Sequence, residues 1–212
     1  MKAAFEFDES TTNILEVEVG ISAVDKAGAH KNRIAELKDK TFNQLIEEAD
    51  AIWEKQLNKI VVETYKESDM YNFYSALYHT MIAPNLYQDV DGRYRGMDME
   101  IHEDLDNDYY TVFSLWDTYR AAHPLYTIIE QERTNDFINT FLNKYDEGGI
   151  MPIWDLSANY TGCMIGYHAV PVIADAYLKG IRGYDVDKVF KAMKHSAIQD
   201  KLGLDSYKNT GY

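Results

Sequence analysis

The sequence has one cysteine, Cys163, among its 212 residues, so no disulfide can form within the chain. No apolar run approaches the roughly 18 residues that a membrane-spanning helix needs. Met1-Lys2-Ala3-Ala4-Phe5 leads directly into charged residues, so no signal-peptide h-region is expected there. If the chain is a piece of a larger exported protein, that says nothing of its compartment. Positive charge is scarce: 21 Lys and Arg stand against 35 Asp and Glu, a net charge of −14. A phosphate-binding surface wants clustered Lys and Arg, so no nucleic-acid partner is expected. An anionic membrane surface is disfavoured for the same reason. There is no Gly-rich phosphate loop, no Walker pattern, no Gly-x-Ser-x-Gly nucleophile motif and no His pair at zinc-helix spacing. Cys163 has no His placed to activate it and reads as a packing residue.

Aromatic residues, by contrast, are plentiful: 17 Tyr, 8 Phe and 3 Trp. Tyrosine joins an apolar body to a polar tip, which suits half-wet cores, interfaces and sugar sites. A chain of this length can bury one sizeable core.

Residues 14–22 alternate. Leu15, Val17, Val19 and Ile21 fall on one face, which predicts a half-buried strand. A lone strand needs a sheet, so residues 1–24 read as the last piece of a β-domain, and residues 25–212 as a helical domain. Thr41 and Gln44 form a capping box, followed by an apolar stripe from Phe42 to Ile60. A second helix is expected from Ser68 to the break at Pro84. Residues 84–110 read as one long loop. Its Asp89-Val90-Asp91-Gly92 turn does not fit a calcium-binding EF-hand, because Arg93 and Tyr94 occupy the central positions; a tight Asp-Gly turn fits better. A helix is expected near Ser114, with a fresh first turn at Pro124. Thr134 is expected to cap the next helix, and Gly148-Gly149 to stop it. Residues 159–168 are expected to open another, with Met164, Ile165, His168, Val172, Ile173 and Ala176 on its buried side and Gly180 at its end. Asp185 caps a last helix through Val189, Phe190, Met193 and Ala197, with no closing element after it.

Two aromatic–acid pairs are the leading site candidates, Trp116-Asp117 and Trp154-Asp155. A sugar ring offers an apolar face to an indole and paired hydroxyls to a carboxylate. Arg120 lies three residues after Asp117, at a spacing that would let the two pair on one helix face. His79, His123 and His168 are possible acids, bases or ligands, although a lone helical histidine is more often structural. Glycoside hydrolysis uses two carboxyl groups, and spacing alone does not choose them; Asp117 with Asp155 is one option.

In combination these residues say more. Phe73-Tyr74-Ser75-Ala76-Leu77-Tyr78-His79-Thr80, Phe113-Ser114-Leu115-Trp116-Asp117-Thr118-Tyr119-Arg120, Pro152-Ile153-Trp154 and Cys163-Met164-Ile165-Gly166-Tyr167-His168 occur in that order. As a set they resemble the glycoside hydrolase family 92 α-mannosidases over nearly the whole chain from residue 14. The resemblance implies a β-sandwich followed by an (α/α)6-barrel. It implies an inverting exo-α-mannosidase that needs calcium and acts on mannose-containing glycans, α-1,2 linkages among them, in a periplasmic or secreted setting. Asp117 then matches a contact to the hydroxyls of the terminal mannose, and Trp116 and Trp154 match aromatics near it. Arg120 and His168 match motif positions without an assigned role. The family's general acid lies in a Glu-Gly-Asn-Ala-Trp motif and its base in a Gly-Asn-Asp-Asp-Cys-Gly-Gln motif, and neither occurs here. The chain therefore reads as mainly α: the first half of the barrel, preceded by one strand left from the sandwich. It has no catalytic residue of its own, its calcium ligands lie outside it, and the remainder of the same polypeptide is its partner. It is expected to be inactive alone. The alternative is a stand-alone helical carbohydrate-binding or interaction module.

Overall fold

In the computed structural model the described residues are Ala4, Phe7 and 14–211. They are mainly helical: α1 (Lys26–Leu37), α2 (Phe42–Leu57), α3 (Glu67–Thr80), α4 (Leu115–Thr118), α5 (Ala122–Ile129), α6 (Gln131–Gly148), α7 (Ala169–Leu178), α8 (Val186–Ile198) and α9 (Leu204–Thr210). Three antiparallel ribbons interrupt them. β1 (Asn85–Leu86) pairs with β4 (Tyr110–Thr111), β2 (Arg93–Arg95) with β3 (Ile101–Glu103), and β5 (Asp155–Leu156) with β6 (Asn159–Tyr160). Among the described residues no helix is long and apolar enough to cross a membrane.

Several helix ends follow from single side chains. Asp25 accepts from the Gly28 amide at 2.7 Å to start α1. Thr41 and Gln44 close the expected capping box on α2. Asp185 accepts from the Lys188 amide at 2.9 Å to start α8. Each such cap is worth about 1 kcal/mol. Gly149, at φ +76°, ends α6 in the left-handed conformation that costs glycine nothing. Pro124 sits in the first turn of α5, where its missing N–H is harmless.

The core is built around α6, which packs on α5, α7 and α8. Phe137, Ile138 and Phe141 on α6 are at most 2% exposed, and each contributes about 1.5–3 kcal/mol by leaving water. Phe113 meets Phe137 and Phe141 edge-on, with ring centroids 5.5 and 4.8 Å away. His123 lies in this cluster with neither ring nitrogen hydrogen-bonded. Burial pushes its pKa down to about 4, so it is a neutral core residue and not an acid, base or ligand.

Other expectations are corrected. Residues 14–22 form no strand: among the described residues no strand pairs with them, and Leu15, Val17, Val19 and Ile21 are exposed. The stripe on α2 is not buried either: α2 packs mainly on α3, and none of its residues is buried. Residues 84–110 are two ribbons, not one loop; the Asp89 turn is tight as expected, with the Gly92 amide on the Asp89 carbonyl at 2.9 Å. Thr134 is not a cap. It lies within α6, and its hydroxyl bonds back to the Glu130 carbonyl at 2.8 Å, the local alternative open to threonine. Residues 159–168 are ribbon and irregular chain, so α7 starts only at Ala169 and Met164 and Ile165 are exposed. Phe190 points outward, and α9 follows α8.

Candidate functional site

The one-turn helix α4 carries Trp116 and Asp117. Ser114 precedes it, and its carbonyl accepts from the amides of Asp117 and Thr118, both at 3.1 Å. That fixes the turn. Ser114 also forms an isolated antiparallel bridge with Trp154. The two candidate segments, 40 residues apart, are thereby brought side by side.

One hydroxyl joins them. Ser114 Oγ accepts from the indole Nε1 of Trp154 at 2.7 Å and donates to Asp117 Oδ2. Asp117 remains exposed, so its carboxylate keeps lone pairs free for other donors. Beside it Trp116 is 39% exposed. The Trp116 ring meets His168 edge-on at 5.1 Å, and the Tyr119 ring lies tilted against His168 with centroids 4.4 Å apart. His168 lies over Gly166, which sits at φ +113°; a Cβ there would fall 2.0 Å from His168 Cε1. The absence of that Cβ is what admits the imidazole. His168 Nδ1 is buried and has no protein partner.

Arg120 does not pair with Asp117. Helix α4 ends at Thr118, so the i, i+3 geometry of a continuous helix is lost before Arg120. Its Nε donates to Tyr119 OH at 2.8 Å instead. Through Tyr119 it still borders the site. The five residues singled out from sequence, Trp116, Asp117, Arg120, Trp154 and His168, therefore form one contiguous group. Ser114, Tyr119 and Gly166, which join them, were not singled out as site residues; nothing in their spacing marks a hydroxyl that accepts and donates at once.

Asp155 is a correction. It is fully buried, held by Lys144 Nζ at 3.0 Å and by Thr111 Oγ1 at 2.9 Å. A sealed carboxylate cannot reach substrate, so the pair Asp117 and Asp155 is not a hydrolytic pair. Lys144 is equally buried, and burial presses its pKa down while the Asp155 and Glu147 carboxylates oppose that shift. His79 is exposed, with its ring 5.7 Å from Tyr78, and it is not part of the group.

An apolar cavity of about 520 Å³ lies nearby, lined by residues such as Ile153, Met164, Ile165, Tyr167 and Leu204. It shares Gly166 with the His168 neighbourhood but includes none of the five residues. With no carboxylate, amide or guanidinium in its lining, it is poorly suited to sugar hydroxyls. The exposed indole beside a held carboxylate is the better match to them. Among the described residues no three His, Cys, Asp or Glu side chains converge into a metal-holding group. Calcium takes about six to eight oxygen ligands, carboxylates prominent among them; with no such carboxylate cluster among the described residues, none of these residues is assigned to it.

A model of the glycosyl hydrolase family 92 catalytic domain matches residues 28–212. The fold is similar to a family GH92 alpha-mannosidase from Bacteroides thetaiotaomicron, with 40% identity and a TM-score of 0.83 over 88% of this chain and 25% of that one. That protein has also been solved in complex with mannoimidazole. The family GH92 inverting mannosidase from Bacteroides thetaiotaomicron VPI-5482 is similar at 29% identity and a TM-score of 0.81, over 90% of this chain and 27% of that one. A search among curated proteins finds no match. The chain spans about a quarter of the length of the solved structures it matches. With the family match running through nearly all of its helices, the chain belongs to glycosyl hydrolase family 92, as part of that family's catalytic domain.

Proposed function

We propose that this chain is a section of a calcium-dependent, inverting exo-α-mannosidase and forms one wall of its terminal-mannose pocket. The observation that carries this reading is the hydrogen-bonded chain Trp154–Ser114–Asp117 beside the exposed Trp116. In it Asp117 accepts hydroxyls of the terminal mannose, Trp116 and Trp154 face its apolar side, and His168 and Arg120 complete the rim. The alpha-mannosidase relatives and the mannoimidazole complex of one of them support it. The substrates are α-mannosides of glycans, α-1,2 linkages among them.

Bond cleavage with inversion needs an acid on the leaving oxygen and a base that activates water on the opposite face. Asp117 alone supplies neither pair, and the motifs that hold the family's acid and base are not in this sequence. Those groups, and the calcium ligands, belong to the rest of the polypeptide. Exposed apolar surface supports that division. Phe42 and Ile52 on α2 are exposed and suit the packing of a completed (α/α)6-barrel.

The test is release of mannose from α-1,2-linked mannobiose. The chain alone is expected to release none, while a longer polypeptide that adds both motifs releases it. Release by the chain alone would overturn the division of labour proposed here.

A further inference from the structure

A buried charged network lies directly behind Trp154 in the chain. Lys144 on α6 is 1% exposed, and its ammonium holds Asp155 at 3.0 Å. The same ammonium lies 3.3 Å from Tyr109 OH and 4.6 Å from the centroid of that ring. Tyr109 OH donates to Glu147 Oε2 at 3.0 Å, and Tyr94 OH donates to Glu147 Oε1 at 3.1 Å. Thr111 Oγ1 adds a bond to Asp155 at 2.9 Å. Asp155 is the residue directly after Trp154, and it opens the β5–β6 ribbon, whose turn holds Ser157 at φ +55°. A buried ion pair with ordered partners is costly to form and rigid once made. This one fixes the backbone at the point where Trp154 leaves it.

We propose that Lys144 is a positioning residue. By clamping Asp155 to α6 it sets the Trp154 indole against Ser114 Oγ, and through that hydroxyl it aims the Asp117 carboxylate. The proposal rests on the reading of Trp154 and Asp117 as the mannose wall. It makes Lys144 and Asp155 determinants of sugar affinity although neither can touch a sugar.

The test uses the polypeptide that contains this chain and the two catalytic motifs, labelled with 5-fluorotryptophan. Trp154→Phe assigns the Trp154 resonance. Lys144→Met leaves Asp155 buried and unpaired and lowers stability for that reason alone. The informative variant is therefore Lys144→Met with Asp155→Asn, which removes both charges together and keeps the Thr111 bond possible. It is expected to melt cooperatively near the wild-type temperature, to shift the Trp154 fluorine resonance, and to bind mannoimidazole about tenfold more weakly. A wild-type Trp154 resonance or wild-type affinity in this variant overturns the proposal. So does a double variant that loses its cooperative melt, since the pair would then be structural only. Asp117→Ala is the control. If it too leaves mannoimidazole affinity unchanged, the mannose-wall reading fails, and the fluorine shift alone decides the positioning of Trp154.

Discussion

The indole Nε1 of Trp154 donates to Ser114 Oγ at 2.7 Å across 40 residues of sequence. The same hydroxyl donates to Asp117, so one oxygen orients both an aromatic platform and a carboxylate. Ser114→Ala removes both bonds and leaves the Trp154 N–H without its protein partner. The expected cost is about 1 kcal/mol of stability, seen by calorimetry, together with weaker mannoimidazole binding by the intact enzyme. Unchanged affinity would separate Ser114 from the site.

Gly166 tests the seat of His168. At φ +113° a β-carbon is strained, and here it would also meet the imidazole at 2.0 Å. Gly166→Ala is expected to cost about 1–3 kcal/mol and to move His168 away from Trp116 and Tyr119. Thermal melts read the first effect, and the Trp116 fluorescence the second.

His123 predicts a dependence of stability on pH. Its folded pKa is lowered to about 4 by burial, below the unfolded value of about 6.5. The unfolded chain therefore binds the extra proton. The contribution of this group is fully present above about pH 6.5 and is lost as pH falls towards 4, by about 3 kcal/mol in all. Urea unfolding at pH 7 and pH 4.5 should show the fall, and His123→Phe should make it smaller.

Asp136 acts in the opposite sense. Partial burial, then the nearby Asp108 carboxylate, push its pKa up to about 6 against the pull of Arg133. Its protonated form favours the fold, so its contribution falls as pH rises through 6. Asp136→Asn is expected to raise the melting temperature at pH 7.5 and to leave it unchanged near pH 4. A lower melting temperature at pH 7.5 would contradict the assignment.

The helices that carry strong local signals were legible in the sequence. The Thr41–Gln44 box, the Asp185 cap and the Gly149 stop act within a few residues of themselves, and all three hold. What was not legible depends on partners distant in sequence. The ribbons within 84–110 have strands of two or three residues, too short for any periodicity to appear. Residues 159–168 carry an apolar pattern that reads as a helix, but Gly162 and Gly166 take positive φ and break it. The alternation at residues 14–22 is present, yet a strand exists only when another strand pairs with it. At the site, the five candidate residues were visible as residue types. That Trp154 reaches Asp117 through Ser114, while its neighbour Asp155 turns inward to Lys144, is set by tertiary packing and has no sequence signature.

The most direct test is the affinity of the intact enzyme for mannoimidazole before and after Asp117→Ala. Asp117 is exposed, and among the described residues its carboxylate is hydrogen-bonded by Ser114, so melting should shift little, by about 0.5 kcal/mol or less. A carboxylate holding sugar hydroxyls is worth about 1.5–3 kcal/mol, which predicts binding weaker by about ten- to a hundredfold. Wild-type affinity in a folded Asp117→Ala enzyme would contradict the assignment of this wall to the terminal mannose.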